Sequence, residues 1–117
     1  MNWQDFSRWG ARLAAWGATY HEGLRDRPVR AQTPPGATYD ALPAAPPETG
    51  CAMDEIMADF ERVVMPGITH WQHPRFFAYF PANAAPPSML AEFLVTMIAP
   101  QCMLWQTSPA ATEMETR

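Results

Sequence analysis

The sequence predicts a mainly α-helical segment on three observations. Apolar residues recur at helical spacing in three separate stretches, the prolines fall between those stretches or at their ends, and 48% of the chain is hydrophobic. At 117 residues the chain has one ordinary domain's length and enough apolar material for a core of its own. Thirteen prolines are about twice the usual share. With six glycines they still stay below the roughly one-quarter typical of low-complexity chains, which excludes general disorder.

The first helix is predicted over residues 2–24. Phe6, Trp9, Leu13, Trp16 and Tyr20 succeed one another at intervals of three and four and so line one stripe, with Arg8 and Arg12 elsewhere on the circumference. Burying a large apolar side chain is worth about 1.5–3 kcal/mol, so a stripe with two Trp and a Tyr requires a covering surface. Residues 26–50, with Pro28, Pro34, Pro35, Pro43, Pro46 and Pro47, read as an extended strap laid over a surface. A second helix over 53–64 gathers Met53, Ile56, Met57, Phe60, Val63 and Val64 on one face and Asp54, Glu55, Asp59, Glu61 and Arg62 on the other, and Pro66-Gly67 stops it. Residues 70–83 are aromatic without regular periodicity and read as an ordered loop. A third helix, 86–99, opens on Pro86 and Pro87, where a missing N–H costs nothing, and is apolar almost all round, as befits the middle of a larger body. Ser108 and Pro109 then form a plausible N-cap and first position of a helix that has only about nine residues, short enough to be marginal alone. The expectation is a chain truncated in mid-helix.

Composition narrows the chemistry. A net charge of -4 gives no electrostatic footprint for nucleic acid or an anionic membrane surface. The apolar run of the third helix contains Glu92 and is well short of the roughly 20 residues of a membrane span. The N-terminus lacks the pattern of a secretory signal, and Cys51 and Cys102 stand far apart with no CxxC, which together point to a reducing, cytoplasmic setting. All eight bases are Arg. Without a lysine amine the chain cannot anchor Schiff-base chemistry.

The remaining constellations have simple readings. His70 and His73 share a spacing seen in some metal sites, but no Glu or Cys stands near enough to complete a set, and local hydrogen bonds around Pro74 account for both imidazoles. Ser108 has no nucleophile elbow around it, and capping explains it. Gly36, Gly50 and Gly67 sit singly, so no phosphate-cradling loop is present. Trp71, Phe76, Phe77, Tyr79 and Phe80 form either a core knot or the wall of an apolar pocket. The residues alone do not choose between the two.

The stretches MPGITHWQHPRFFAYFPAN (residues 65–83) and MLWQTSPAATEMET (103–116) closely resemble the N-terminal part of the pyridoxal-phosphate-dependent group II amino-acid decarboxylases, of the aromatic-L-amino-acid decarboxylase type. The likeness covers essentially the whole chain, which corresponds to about the first quarter of such enzymes. It implies the N-terminal helical segment of a fold-type I enzyme, truncated before the large α/β cofactor domain. Residues 1–85 would wrap the partner subunit of a homodimer, and 86–117 would begin the large domain. The implied activity is decarboxylation of aromatic or related L-amino acids with pyridoxal 5'-phosphate. Trp71, Tyr79, Phe80, Pro81 and Ala82 would line the substrate pocket, with Ala82 where animal members carry a threonine. Gln101 and Met103 would reach the partner subunit's active site. The cofactor-anchoring lysine, the histidine on the cofactor ring and the aspartate at the pyridine nitrogen would all lie beyond residue 117, so the chain by itself is expected to be inactive. The competing expectation is a free-standing helical module that binds a partner protein through its Trp and Met stripes.

Overall fold

The computed structural model describes residues 1–80 and 84–117, and the chain divides into two compact units, Met1–Ala82 and Asn83–Arg117. All regular structure among the described residues is helical.

In the first unit α1 spans Trp3–Glu22. Asn2 caps it by accepting the Asp5 N–H at 2.8 Å, and Asp5 places a carboxylate at the positive end of the helix dipole. At the other end the Gly23 N–H donates to the Thr19 carbonyl at 3.0 Å, and a 3-10 turn, Leu24–Asp26, follows. The aromatic stripe meets α3, Met53–Asp59, and the turn beyond it. Arg12 pairs with Asp54 at 2.8 Å, the Trp16 indole donates to Glu61 Oε1 at 2.8 Å, and the Trp16 ring stands edge-on to Phe60 with centroids 5.6 Å apart. Trp9 is buried, with the Arg12 guanidinium 3.9 Å over its ring. Part of the cover that the stripe requires is thus supplied by the chain itself, while Leu13 stays exposed. The exposed ion pair contributes on the order of 0–1 kcal/mol, so aromatic burial dominates this contact.

At its start α3 has half a capping box, in which Glu55 accepts the Ala52 N–H at 3.4 Å. The helix expected over 53–64 changes character at Phe60: Phe60–Val64 is a π turn closed by the Met65 N–H on the Phe60 carbonyl, and a 3-10 turn, Met65–Gly67, follows. Pro66 has no N–H to continue the α ladder, so the pattern widens before it and tightens across it. Helical backbone therefore overruns the expected stop by one turn, and Val63 is buried at the π turn.

The strap is tied down at its first half. The His70 N–H donates to the Val29 carbonyl at 2.9 Å, and the Ala31 N–H donates to Thr69 Oγ1 at 3.3 Å. It is not extended throughout: Ala37–Ala41 forms a short α2, entered through Gly36 at φ 90°, a left-handed conformation that glycine adopts freely. Thr38 of α2 lies so close to Gly67 that a Cβ on Gly67 would sit 2.7 Å from Thr38 Oγ1. Gly67→Ala is expected to lower stability by about 1–3 kcal/mol through overpacking. A second change, Thr38→Ala, should recover most of that loss in urea unfolding, and equal losses in both backgrounds would contradict the close approach.

The second unit contains α4, Pro86–Ile98, and α5, Pro109–Thr116. Pro86 and Pro87 open α4 as expected, and Ser88 Oγ accepts the Ala85 N–H at 3.3 Å. Every residue of α4 is exposed. The helix ends at Ala99, in the left-handed region at φ 48°, followed by Pro100. Ser108 stands at the N-cap of α5, but its side chain makes no capping bond. Its backbone, at φ -157° and ψ 83°, departs from the geometry that aims a serine hydroxyl at the first helical amides, while its carbonyl accepts the first helical bond, from the Thr112 N–H at 3.3 Å. No described helix is long and apolar enough to cross a membrane.

Candidate functional site

The aromatic loop begins where α1 ends its stripe. Tyr20 is hydrogen-bonded through its hydroxyl to Nδ1 of His70 at 2.8 Å, stacks on Trp16 with centroids 5.5 Å apart, and lies under the Arg27 guanidinium. His70 is only 4% exposed. From this anchor the backbone makes two successive turns, the His73 N–H donating to the His70 carbonyl and the Phe76 N–H to the His73 carbonyl, both at 2.9 Å. Across Pro74, the Arg75 N–H donates to His73 Nδ1 at 3.0 Å. His73 thus bonds locally around Pro74, as the sequence suggested. His70 does not: its ring reaches fifty residues back to Tyr20, a link that the apolar stripe alone does not reveal.

These turns bring three rings together. Trp71 is flanked by Phe76, with centroids 4.9 Å apart and planes 30° apart, and by Tyr79, at 5.7 Å and 18°. Tyr79 has φ 54°, a conformation unusual for a bulky residue and costing roughly 1–2 kcal/mol. The rings turn outward: Tyr79 is 83% exposed, Phe77 90% and Phe80 100%. Pro81 and Ala82, the other two expected pocket residues, lie outside the described residues. Gln101 and Met103 belong to the second unit, in the stretch between α4 and α5, and both are exposed. Near them the Trp105 indole donates to Glu113 Oε1 at 3.0 Å, tying that stretch to α5. Among the described residues no group of three or more His, Cys, Asp or Glu is placed to hold a metal ion.

Burial pushes the Tyr20 phenol up, opposed by Arg27, and holds the His70 imidazole below its ordinary value, with Arg27 and His73 adding to the effect. A histidine whose pKa is depressed on folding binds fewer protons than the unfolded chain, so its contribution is complete above about pH 6.5 and is lost as the pH falls. The urea midpoint of the chain should therefore drop on acidification through this range, and His70→Gln should flatten that slope. An unchanged slope in the variant would show that another group is responsible.

Residues 35–117 match the pyridoxal-dependent decarboxylase conserved domain. The chain belongs to this family of pyridoxal-dependent decarboxylases. It is 41% identical to the aromatic-L-amino-acid decarboxylase of Cavia porcellus over 99% of its own length and 24% of that enzyme's. Among solved structures it is similar to Rhodiola rosea 4-hydroxyphenylacetaldehyde synthase (TM-score 0.92, 35% identity, 98% of this chain and 25% of that one). It is equally close in fold to Catharanthus roseus tryptophan decarboxylase in complex with L-tryptophan (TM-score 0.92, 31% identity, again 98% and 25%). The chain spans about a quarter of the length of these relatives.

Proposed function

We propose that this chain serves as the N-terminal part of a pyridoxal-phosphate-dependent carboxy-lyase acting on aromatic or related L-amino acids in the cytoplasm. In this reading residues 1–85 wrap the partner subunit of a homodimer and 86–117 begin the large domain. Trp71, Tyr79, Phe80, Pro81 and Ala82 form the wall of the substrate pocket, and Gln101 and Met103 reach the partner subunit's site. The observation that carries the pocket assignment is the outward exposure of Tyr79 and Phe80 from a loop whose base is fixed by the buried His70 and His73. Rings aimed away from their own unit on a rigid base suit contact with an apolar substrate side chain.

The residues present do not fit the cofactor's anchoring site. Pyridoxal phosphate is held as a Schiff base with a lysine, and none of the 117 residues is Lys. No chemical step is therefore assigned to this chain, whose part is to shape and cover the site.

The test is a fused enzyme in which this chain replaces the first quarter of an aromatic-L-amino-acid decarboxylase. The fusion is expected to release carbon dioxide from aromatic L-amino acids. The isolated chain should release none above a cofactor-only control, nor yield a side-chain adduct after borohydride reduction with pyridoxal phosphate. A folded, cofactor-loaded fusion without activity, or an adduct within the isolated chain, would overturn the proposal.

A further inference from the structure

His73 is 3% exposed, and its Nε2 has no hydrogen-bond partner among the described residues. Its Nδ1 accepts the Arg75 amide at 3.0 Å. A ring nitrogen that accepts carries no proton, so the neutral imidazole is fixed with its proton on Nε2, buried and unpaired. The opposite tautomer would set Nδ1–H against the Arg75 N–H. The ring keeps the costly arrangement because Nδ1 closes a turn in which Pro74 has no amide to offer. From that turn the Phe76 N–H returns to the His73 carbonyl, and the Phe76 ring meets Trp71, which in turn stacks on Tyr79.

We propose that His73 is the positioning residue of the aromatic loop: its Nδ1, rather than its bulk, holds residues 73–76 in the turn that sets Phe76, Trp71 and Tyr79 side by side. The functional weight of this inference rests on the reading of the loop as pocket wall, but its geometry is tested without substrate. Asparagine is the conservative replacement, because an Asn before proline bonds the amide two residues on through Oδ1. Glutamine keeps a donor near the position of Nε2 but carries its carbonyl one bond too far out.

The measurement is made on the fused enzyme with this segment isotope-labelled, combining imidazole nitrogen NMR at a pH where the rings are neutral with residue-resolved amide exchange. The histidine signal lost in His73→Asn should be that of a ring protonated on Nε2. The Arg75 amide should be protected in the unaltered chain. Its exchange should quicken about tenfold in His73→Leu and stay within about twofold in His73→Asn. A proton on Nδ1, an unprotected Arg75 amide in the unaltered chain, or equal exchange in the Leu and Asn variants would each overturn the proposal. Should His73→Leu unfold the unit, the Asn and Gln variants decide: protection with Asn alone supports it, and protection with Gln equal to that with Asn overturns it. Failure of the pocket reading would appear separately, as unchanged kcat/KM for Tyr79→Ala and Phe80→Ala in the fused enzyme with the His73 tautomer and the Arg75 protection as stated.

Discussion

In the fused enzyme, Tyr79→Ala or Phe80→Ala is expected to lower kcat/KM for an aromatic amino acid by about 1–3 kcal/mol in transition-state terms, with little change in cofactor affinity. The rings are exposed in the unit that bears them, so truncating them removes few contacts there and leaves the fold largely undisturbed. If the cluster is instead a core knot in the assembled enzyme, the same truncations should cost about 3–5 kcal/mol of stability and leave the kinetics of the surviving molecules near normal. Thermal unfolding and steady-state kinetics on the same variants separate the two outcomes. A large stability loss with unchanged kcat/KM would refute the pocket assignment.

The isolated chain is expected to sediment as dimers or larger assemblies rather than as a monomer. Leu90, Phe93 and Met97 are exposed along α4, and Trp3, Tyr39, Phe77, Tyr79 and Phe80 are exposed in the first unit. The buried hydrophobic set comprises Trp9, Leu24 and Val63, and no side chain is fully buried among the described residues. Monomers rarely tolerate exposed apolar patches larger than a few hundred Å². A core of three residues is thin for a stability that normally amounts to about 5–15 kcal/mol. A sharp monomer peak would contradict this expectation.

The helices were legible in the sequence because their signals are local. The three- and four-residue spacing of Phe6, Trp9, Leu13, Trp16 and Tyr20 matches α1, and the proline pair at 86–87 marks the start of α4. Where a local pattern competes with longer-range packing, the sequence pattern alone does not fix the outcome. Pro66 was legible as a terminator, but the π turn ahead of it and the 3-10 turn across it depend on how the freed carbonyls find donors. The helical turn at α2 has no apolar periodicity to announce it and is held beside Gly67, distant in sequence. Trp9 offers a similar lesson: periodicity showed that it needed cover, but not that α3 and Arg12 supply some of it within the same chain.

Of the candidate site, the aromatic cluster was legible as a composition and its geometry was not. Nothing in the spacing of Trp71, Phe76 and Tyr79 dictates that Trp71 lies between the other two rings, because that order follows from the turns at His70 and His73 and from the left-handed backbone at Tyr79. The Tyr20–His70 bond spans fifty residues and leaves no pattern in the sequence. The family, by contrast, was legible from two motifs in the same order, whose agreement with the conserved domain over residues 35–117 is independent of any single contact.

Whether this chain supplies a wall of the substrate pocket in a decarboxylase dimer is decided by a crystal structure of the fused enzyme with a bound aromatic amino acid. The Tyr79 and Phe80 rings are expected within about 4 Å of the ligand's side chain, and Gln101 and Met103 at the partner subunit's site. A structure with these rings packed into the protein interior and the ligand enclosed by other residues would contradict it.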